Sequence, residues 1–180
     1  MKKLLPLVLV LAACGPDPVL YPVPPAPPGD RIGVSVRSVE VRDVSLPLYA
    51  EAEEIAFEQP DGGILPSEEV IWADDPQRAV TLELSRVLGT VTRATVAPEP
   101  WPFESFPGAS VDVRIEEFVA GADGRFRMAG VWYAGTETRE RSGRFALAAP
   151  YDPDGGVRAI AVARGQVVRD LARLIAAEGL

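Results

Sequence analysis

No histidine occurs among the 180 residues, cysteine appears once, and lysine is confined to positions 2 and 3. Without histidine, and with a single thiol, the chain cannot assemble a Ser-His or Cys-His nucleophile or a zinc site of the usual Cys and His ligands. One cysteine forms no intrachain disulfide. Base is scarce as well: 18 Lys and Arg stand against 26 Asp and Glu, a formal charge of −8. That balance argues against nucleic acid as a partner and against electrostatic docking on anionic headgroups. No apolar run approaches the roughly 20 residues a membrane-spanning helix needs. Carboxylates are left as the only acid or base groups. Their adjacent pairs, Glu53-Glu54, Glu68-Glu69, Asp74-Asp75 and Glu116-Glu117, diverge on either a strand or a helix, so they read as solvated surface or helix caps, not paired catalysts. The sequence therefore points to no catalytic residues, no metal and no cofactor.

What is present begins at the amino terminus. Lys2 and Lys3 precede an apolar stretch from Leu4 to Leu11, then Ala12 and Ala13, then the lone Cys14. This is the form of a lipoprotein signal peptide. It predicts removal of residues 1–13 and lipidation of Cys14, with diacylglycerol on the sulfur and an acyl chain on the new amine. The processed chain would then carry 16 Arg against 26 acidic residues, a charge of −10, and no lysine. Gly15, where an Asp would signal retention, predicts the outer membrane under the enterobacterial sorting rule. From Cys14 to Gly29 the chain is a proline-rich tether, GPDPVLYPVPPAPPG after the cysteine. Proline fixes φ and removes donors, so the segment is expected to be extended, reaching up to about 45 to 50 Å at about 3.1 Å per residue. Tyr21 within it either is solvated or packs on the domain.

Residues 30–180 read as one domain. Alternation at Ile32, Val34, Val36, Val39, Val41 and Val44 predicts a first strand ending before Leu46-Pro47. Ile55–Gln59 and Ser67–Trp72 flank a Pro-Asp-Gly-Gly turn, predicting a hairpin. Asp75 as cap and Pro76 at the first position open a helix whose apolar face is Val80, Leu84, Val87 and Leu88, and Gly89 is expected to stop it. Val91–Ala97 follows as a short strand. A meander comes next: Val111, Val113 and Ile115, then Phe126, Met128, Gly130 and Trp132 after the Asp123-Gly124 turn, then Phe145 and Leu147. Periodic apolar residues predict a last helix over about 157–177, with Gly165 costing it about 1 kcal/mol in propensity. The fold class is α+β, a mixed and mostly antiparallel sheet with two main helices on one side.

Two clusters stand out as candidate partner-binding residues. Trp101, Phe103 and Phe106 lie between prolines and either plug the end of the core or form an exposed anchor. Arg125 and Arg127, with Arg139, Arg141 and Arg144, either form a basic strip for an acidic partner or lipid head, or pair across strands with Glu137, Glu140 and Glu116-Glu117.

Taken in order, Cys14 with its short Tyr-containing tether, the strand ending near Leu46-Pro47, Ile71-Trp72-Ala73-Asp74-Asp75-Pro76 at a helix start, and the segments VDVRIEEF (111–118) and GRFRMAGVWY (124–133) resemble the PqiC-type family of ABC transport auxiliary lipoproteins. The resemblance implies a domain similar to the N-terminal domain of TolB. It also implies a place beside an MCE-domain protein and an MlaE/MlaF-like ABC transporter that move phospholipid between two membranes, as single copies or as a homo-oligomeric ring. It carries over no active-site residue. The alternative function class is a periplasmic scaffolding lipoprotein of the TolB or peptidoglycan-associated type.

Overall fold

A computed structural model describes residues 17–180; Cys14 and the signal segment lie outside them. The elements in chain order are β1 (Val19–Tyr21), β2 (Ser38–Val41), β3 (Glu54–Glu58), β4 (Ile64–Trp72), α1 (Pro76–Val91), β5 (Thr95–Pro98), β6 (Ala109–Ala120), β7 (Arg125–Gly135), β8 (Glu140–Pro150) and α2 (Gly156–Glu178). All eight strands form one mixed sheet. Its two longest ladders, β6 with β7 and β7 with β8, are antiparallel, whereas β2 runs parallel to both β5 and β6. The long β6 is the hinge of this arrangement. One of its edges is taken by β7, and the other is shared between β2 near Ala109–Val111 and β3 at Ala120.

Both helices bury their apolar faces in a single core. Val80, Leu84, Val87, Leu88 and Val91 of α1, and Val167, Val168, Leu171 and Ile175 of α2, join Val39, Val111, Val113, Met128 and Trp132 of the sheet. Asp75 caps α1, its carboxylate accepting from the Arg78 amide at 2.7 Å, and Pro76 occupies the first turn where its missing N–H costs nothing. The helix runs through Gly89 to Val91, so the expected strand at 91–97 begins only at Thr95. Gly89 is tolerated because the tertiary seat of α1 outweighs its propensity cost; no positive φ is needed there.

The hairpin of β3 and β4 is found, with Phe57 opposite Leu65. The long first strand is not. Residues 31–37 are irregular, and their backbone bonds to the ends of both helices: the Ile32 amide donates to the Val91 carbonyl at 2.7 Å, and the Ser35 amide to the Leu180 carbonyl at 3.2 Å. Period-2 alternation thus arose from a chain crossing helix termini, with Ile32, Val34 and Val36 partly buried against the core.

A second departure concerns the proline-rich segment. It is extended, but from Val19 onward it is docked. β1 pairs parallel to β4, Tyr21 lying opposite Trp72, and the Ala73 amide donates to the Tyr21 carbonyl at 3.1 Å. Further along, Arg173 Nη1 donates to the carbonyls of Pro28 (3.0 Å) and Asp30 (2.6 Å). The segment therefore does not hang free over its whole length as a spacer. Unpaired backbone groups at the β4 edge and a basic side chain on α2 supply partners that its prolines cannot supply one another.

Candidate docking face

The aromatic loop leaves β5 at Pro98 and returns to β6 at Ala109, at one end of the sheet. Four prolines between 98 and 107 deny it regular structure, and local hydrogen bonds fix it instead. The Trp101 amide donates to the Glu40 carboxylate at 3.0 Å, and the Trp101 indole N–H donates to the Ser105 carbonyl at 2.6 Å. The Gly108 amide donates to Ser38 Oγ at 2.9 Å. The Trp101 and Phe103 rings meet edge to face, with centroids 4.9 Å apart. Phe103 is 51% exposed and Phe106 is 94% exposed. Trp101 is half-buried, and none of the three rings belongs to the core cluster, so they do not plug the end of the core. They line one wall of an open groove of about 680 Å³, and Glu40, Glu104, Glu137 and Glu140 outnumber Arg42 around it.

The arginines form no continuous strip. Arg127 is fully engaged: Nη1 and Nη2 grip both oxygens of Glu58 at 3.0 and 2.9 Å, Nε donates to Glu117 at 2.8 Å, and Asp123 lies 3.5 Å away. These hydrogen bonds, Glu58 first and Glu117 second, raise the Arg127 pKa, and the same contact lowers that of Glu58. Gly121 makes room for this guanidinium, since a Cβ there would stand 2.3 Å from Arg127 Nη1. Arg144 pairs with Glu116 at 2.7 Å. Arg139 donates to Ser35 Oγ and the Leu180 carbonyl, and Arg141 to the Glu178 carbonyl. Arg125 is exposed and makes one long contact, 3.4 Å to the Ala148 carbonyl.

Cross-strand pairing was anticipated with Glu116-Glu117, and these are indeed the partners of Arg144 and Arg127. Glu58 was not foreseen, because β3 meets β6 only through tertiary folding. Glu137 and Glu140 instead face the groove beside the aromatic loop. Sequence reasoning also missed Arg164, a fully buried arginine in α2. Its only signal was a charge on the apolar side of the helix, where Ala161, Val168 and Leu171 are buried with it.

Among the described residues, no helix is long and apolar enough to cross a membrane. No curated protein matches the chain. Two crystal structures share its fold. One, of an uncharacterized protein, has a TM-score of 0.72 at 18% identity, covering 87% of this chain and 95% of its own. The other, of a protein from Xanthomonas campestris, has a TM-score of 0.63 at 14% identity, covering 88% and 93%. The family model described as an ABC-type transport auxiliary lipoprotein component matches residues 20–176, a span that runs from β1 nearly to the end of α2, and the chain belongs to that family.

Proposed function

We propose that the chain is a non-catalytic subunit of an MCE/ABC-type system that carries phospholipid between membranes. In this reading it is lipidated at Cys14, held at the periplasmic face of the outer membrane, and positions the MCE-domain protein whose transporter is MlaE/MlaF-like. The observation that carries the reading is the aromatic loop. Phe106 stands almost wholly in solvent on a backbone fixed by Glu40 and Ser105. Such a loop loses little backbone freedom on docking, and its ring gains from burial. The acidic rim around it favours a partner face rich in Arg or Lys.

The test is capture of the lipidated full chain from its own envelope in a mild detergent. An MCE-domain protein is expected to come with it. The triple variant Trp101→Ser, Phe103→Ser, Phe106→Ser is expected to lose the partner while keeping its circular dichroism spectrum and its lipid. A folded triple variant that captures the partner as well as wild type removes the loop from the interface. A wild type that captures no MCE protein removes the transport assignment.

A further inference from the structure

The hairpin of β3 and β4 carries an uncharged tip that the fold does not bury. Gly62, Gly63, Ile64, Leu65 and Pro66 follow one another without a charge, and all five are exposed. Ile64 leaves 40% of its surface in solvent and Leu65 leaves 59%. Of the neighbouring carboxylates, Glu58 is gripped by Arg127, and Asp61 accepts from the Gly63 amide at 3.0 Å. Glu68 and Glu69 lie beyond Pro66, where the ladder between β3 and β4 breaks. Consecutive exposed apolar residues on a turn do nothing for the core and mark a contact surface.

Chain length identifies what meets that surface. β1 runs parallel to β4 with Val19 opposite Val70, so tracing either strand backwards leads toward the same end of the sheet. Cys14 stands five residues before Val19, and Leu65 five before Val70. Five residues reach at most about 18 Å. Because the segment is docked from Val19 onward, an acyl chain on Cys14 holds this end of the domain within about that distance of a bilayer. Val19 and Leu20, 54% and 59% exposed, add apolar surface on the strand beside β4. The aromatic loop is at the other end. Leu65 lies opposite Phe57, Phe57 lies opposite Ala120 at the close of β6, and the loop joins β6 at Ala109. At about 3.3 Å per residue, about 35 Å of strand separates them.

We propose that the lipidated chain seats Ile64 and Leu65 in the interface of the bilayer that holds its Cys14 anchor, and that this seat points the aromatic loop away from that membrane. The inference rests on the lipidation of Cys14 in the reading above, and not on the identity of the partner. The anchor supplies the attachment, so the two side chains need only orient the domain. A short leash keeps the tip at high effective concentration beside the leaflet, where a weak apolar contact suffices. The acidic balance of the chain opposes electrostatic docking but not apolar insertion.

The test places the full lipidated chain in phosphatidylcholine vesicles that contain a lipid with a nitroxide on its headgroup. Cys14 is the one cysteine, and lipid occupies its thiol, so an added cysteine carries a single environment-sensitive fluorophore. Pro60→Cys puts the label on the exposed turn beside the tip, and Phe106→Cys puts it on the aromatic loop. Flotation with the vesicles reads the anchor, and quenching reads the seat. A floating chain is expected whose label at 60 shifts to the blue and loses intensity to the nitroxide, while the label at 106 emits as in water. Adding Ile64→Ser and Leu65→Ser to Pro60→Cys is expected to abolish the quenching with flotation and the circular dichroism spectrum unchanged; should that variant unfold, Leu65→Ser alone decides. A chain that floats with its label at 60 in water overturns the seat and leaves the anchor. Equal quenching at 60 and 106 overturns the orientation. Quenching that survives the serine variants overturns the roles of Ile64 and Leu65. A chain that does not float removes the anchor, and the seat with it.

Discussion

Two proline-broken segments of this chain meet opposite fates. Residues 17–29 lie along the domain, whereas residues 102–106 stand exposed at its end. Both are rich in proline, and neither donates enough backbone N–H groups to build its own structure. The difference lies in what faces them. The first meets an unpaired edge of β4, a glycine on α2 whose missing Cβ admits the Pro24 carbonyl, and an arginine that collects the carbonyls of Pro28 and Asp30. The second is held at its start, where the Glu99 amide donates to the Val41 carbonyl at 2.8 Å and the Trp101 amide to the Glu40 carboxylate, and beyond Trp101 its indole N–H bonds within the loop. Proline content sets the conformation of a segment, and the surface opposite decides whether it docks. A docked segment can close a cavity; a standing loop can present rings to a partner.

That contrast is sharpest when measured against the core both segments border. Leu84 is fully buried on α1, and Leu84→Ala is expected to cost about 2 to 5 kcal/mol through lost burial and a residual cavity. Thermal or denaturant unfolding of the purified variant checks it. Any change in either proline segment that costs as much shows the segment to be core.

Under the docked segment, Glu83 gives a pH signature that the loop lacks. Its folded pKa of about 7 lies above the 4.5 of the free group, so the folded state holds the proton more tightly. The associated stability is complete below about pH 4.5 and is lost as pH rises through about 7, by at most about 3 kcal/mol. Wild type is therefore expected to lose stability between pH 5 and pH 8 relative to Glu83→Gln, which has no proton to release. Parallel melting curves of the two across that range would show the carboxyl to be solvated and the segment to be lifted off.

Much of this fold was legible because local signals and tertiary outcome agree. Asp75-Pro76 opens α1, Asp123-Gly124 turns the meander with Gly124 at φ 74°, and Phe126, Met128 and Trp132 alternate into the core as read. What failed did so where tertiary contacts supply the partners. Ile32, Val34 and Val36 alternate like a strand but serve the ends of the helices. Glu58 reaches Arg127 across 69 positions, beyond any local pattern. Gly165 reads only as a weak point in a helix until the Pro24 carbonyl is seen against it. At Trp101, Phe103 and Phe106 the residue types were evident and their exposure was not, since rings between prolines satisfy a core and an interface equally.

The two helical glycines give a smaller and signed test. At Gly165 a Cβ would stand 2.9 Å from the Pro24 carbonyl oxygen and 3.2 Å from Val23 Cγ1; at Gly89 its closest neighbour would be Val96 at 3.7 Å. Alanine improves helix propensity by about 1 kcal/mol at either position. At 89 nothing opposes that gain, so Gly89→Ala is expected to stabilise. At 165 overpacking of about 1 to 3 kcal/mol works against it, so Gly165→Ala is expected to destabilise by about 1 kcal/mol net, with faster amide exchange in residues 19–28. Equal stabilisation by both alanines would mean that the segment does not dock.

The smallest effect belongs to the loop itself, and its smallness is the point. Phe106 touches so little of the domain that Phe106→Ser is expected to change stability by less than about 0.5 kcal/mol. Trp101 is different, since its indole N–H holds the Ser105 carbonyl and its ring packs against Phe103. Trp101→Ser is expected to cost about 1 to 2 kcal/mol by losing that bond and that ring pair. The two unfolding midpoints separate scaffold from anchor within one loop. A Phe106→Ser cost equal to that of Trp101→Ser would place the ring in packing, erase the difference between the two proline segments, and remove the physical basis for a docking face here. A silent Phe106→Ser that nonetheless weakens partner capture would show the ring held in place by its loop and kept for something outside the domain.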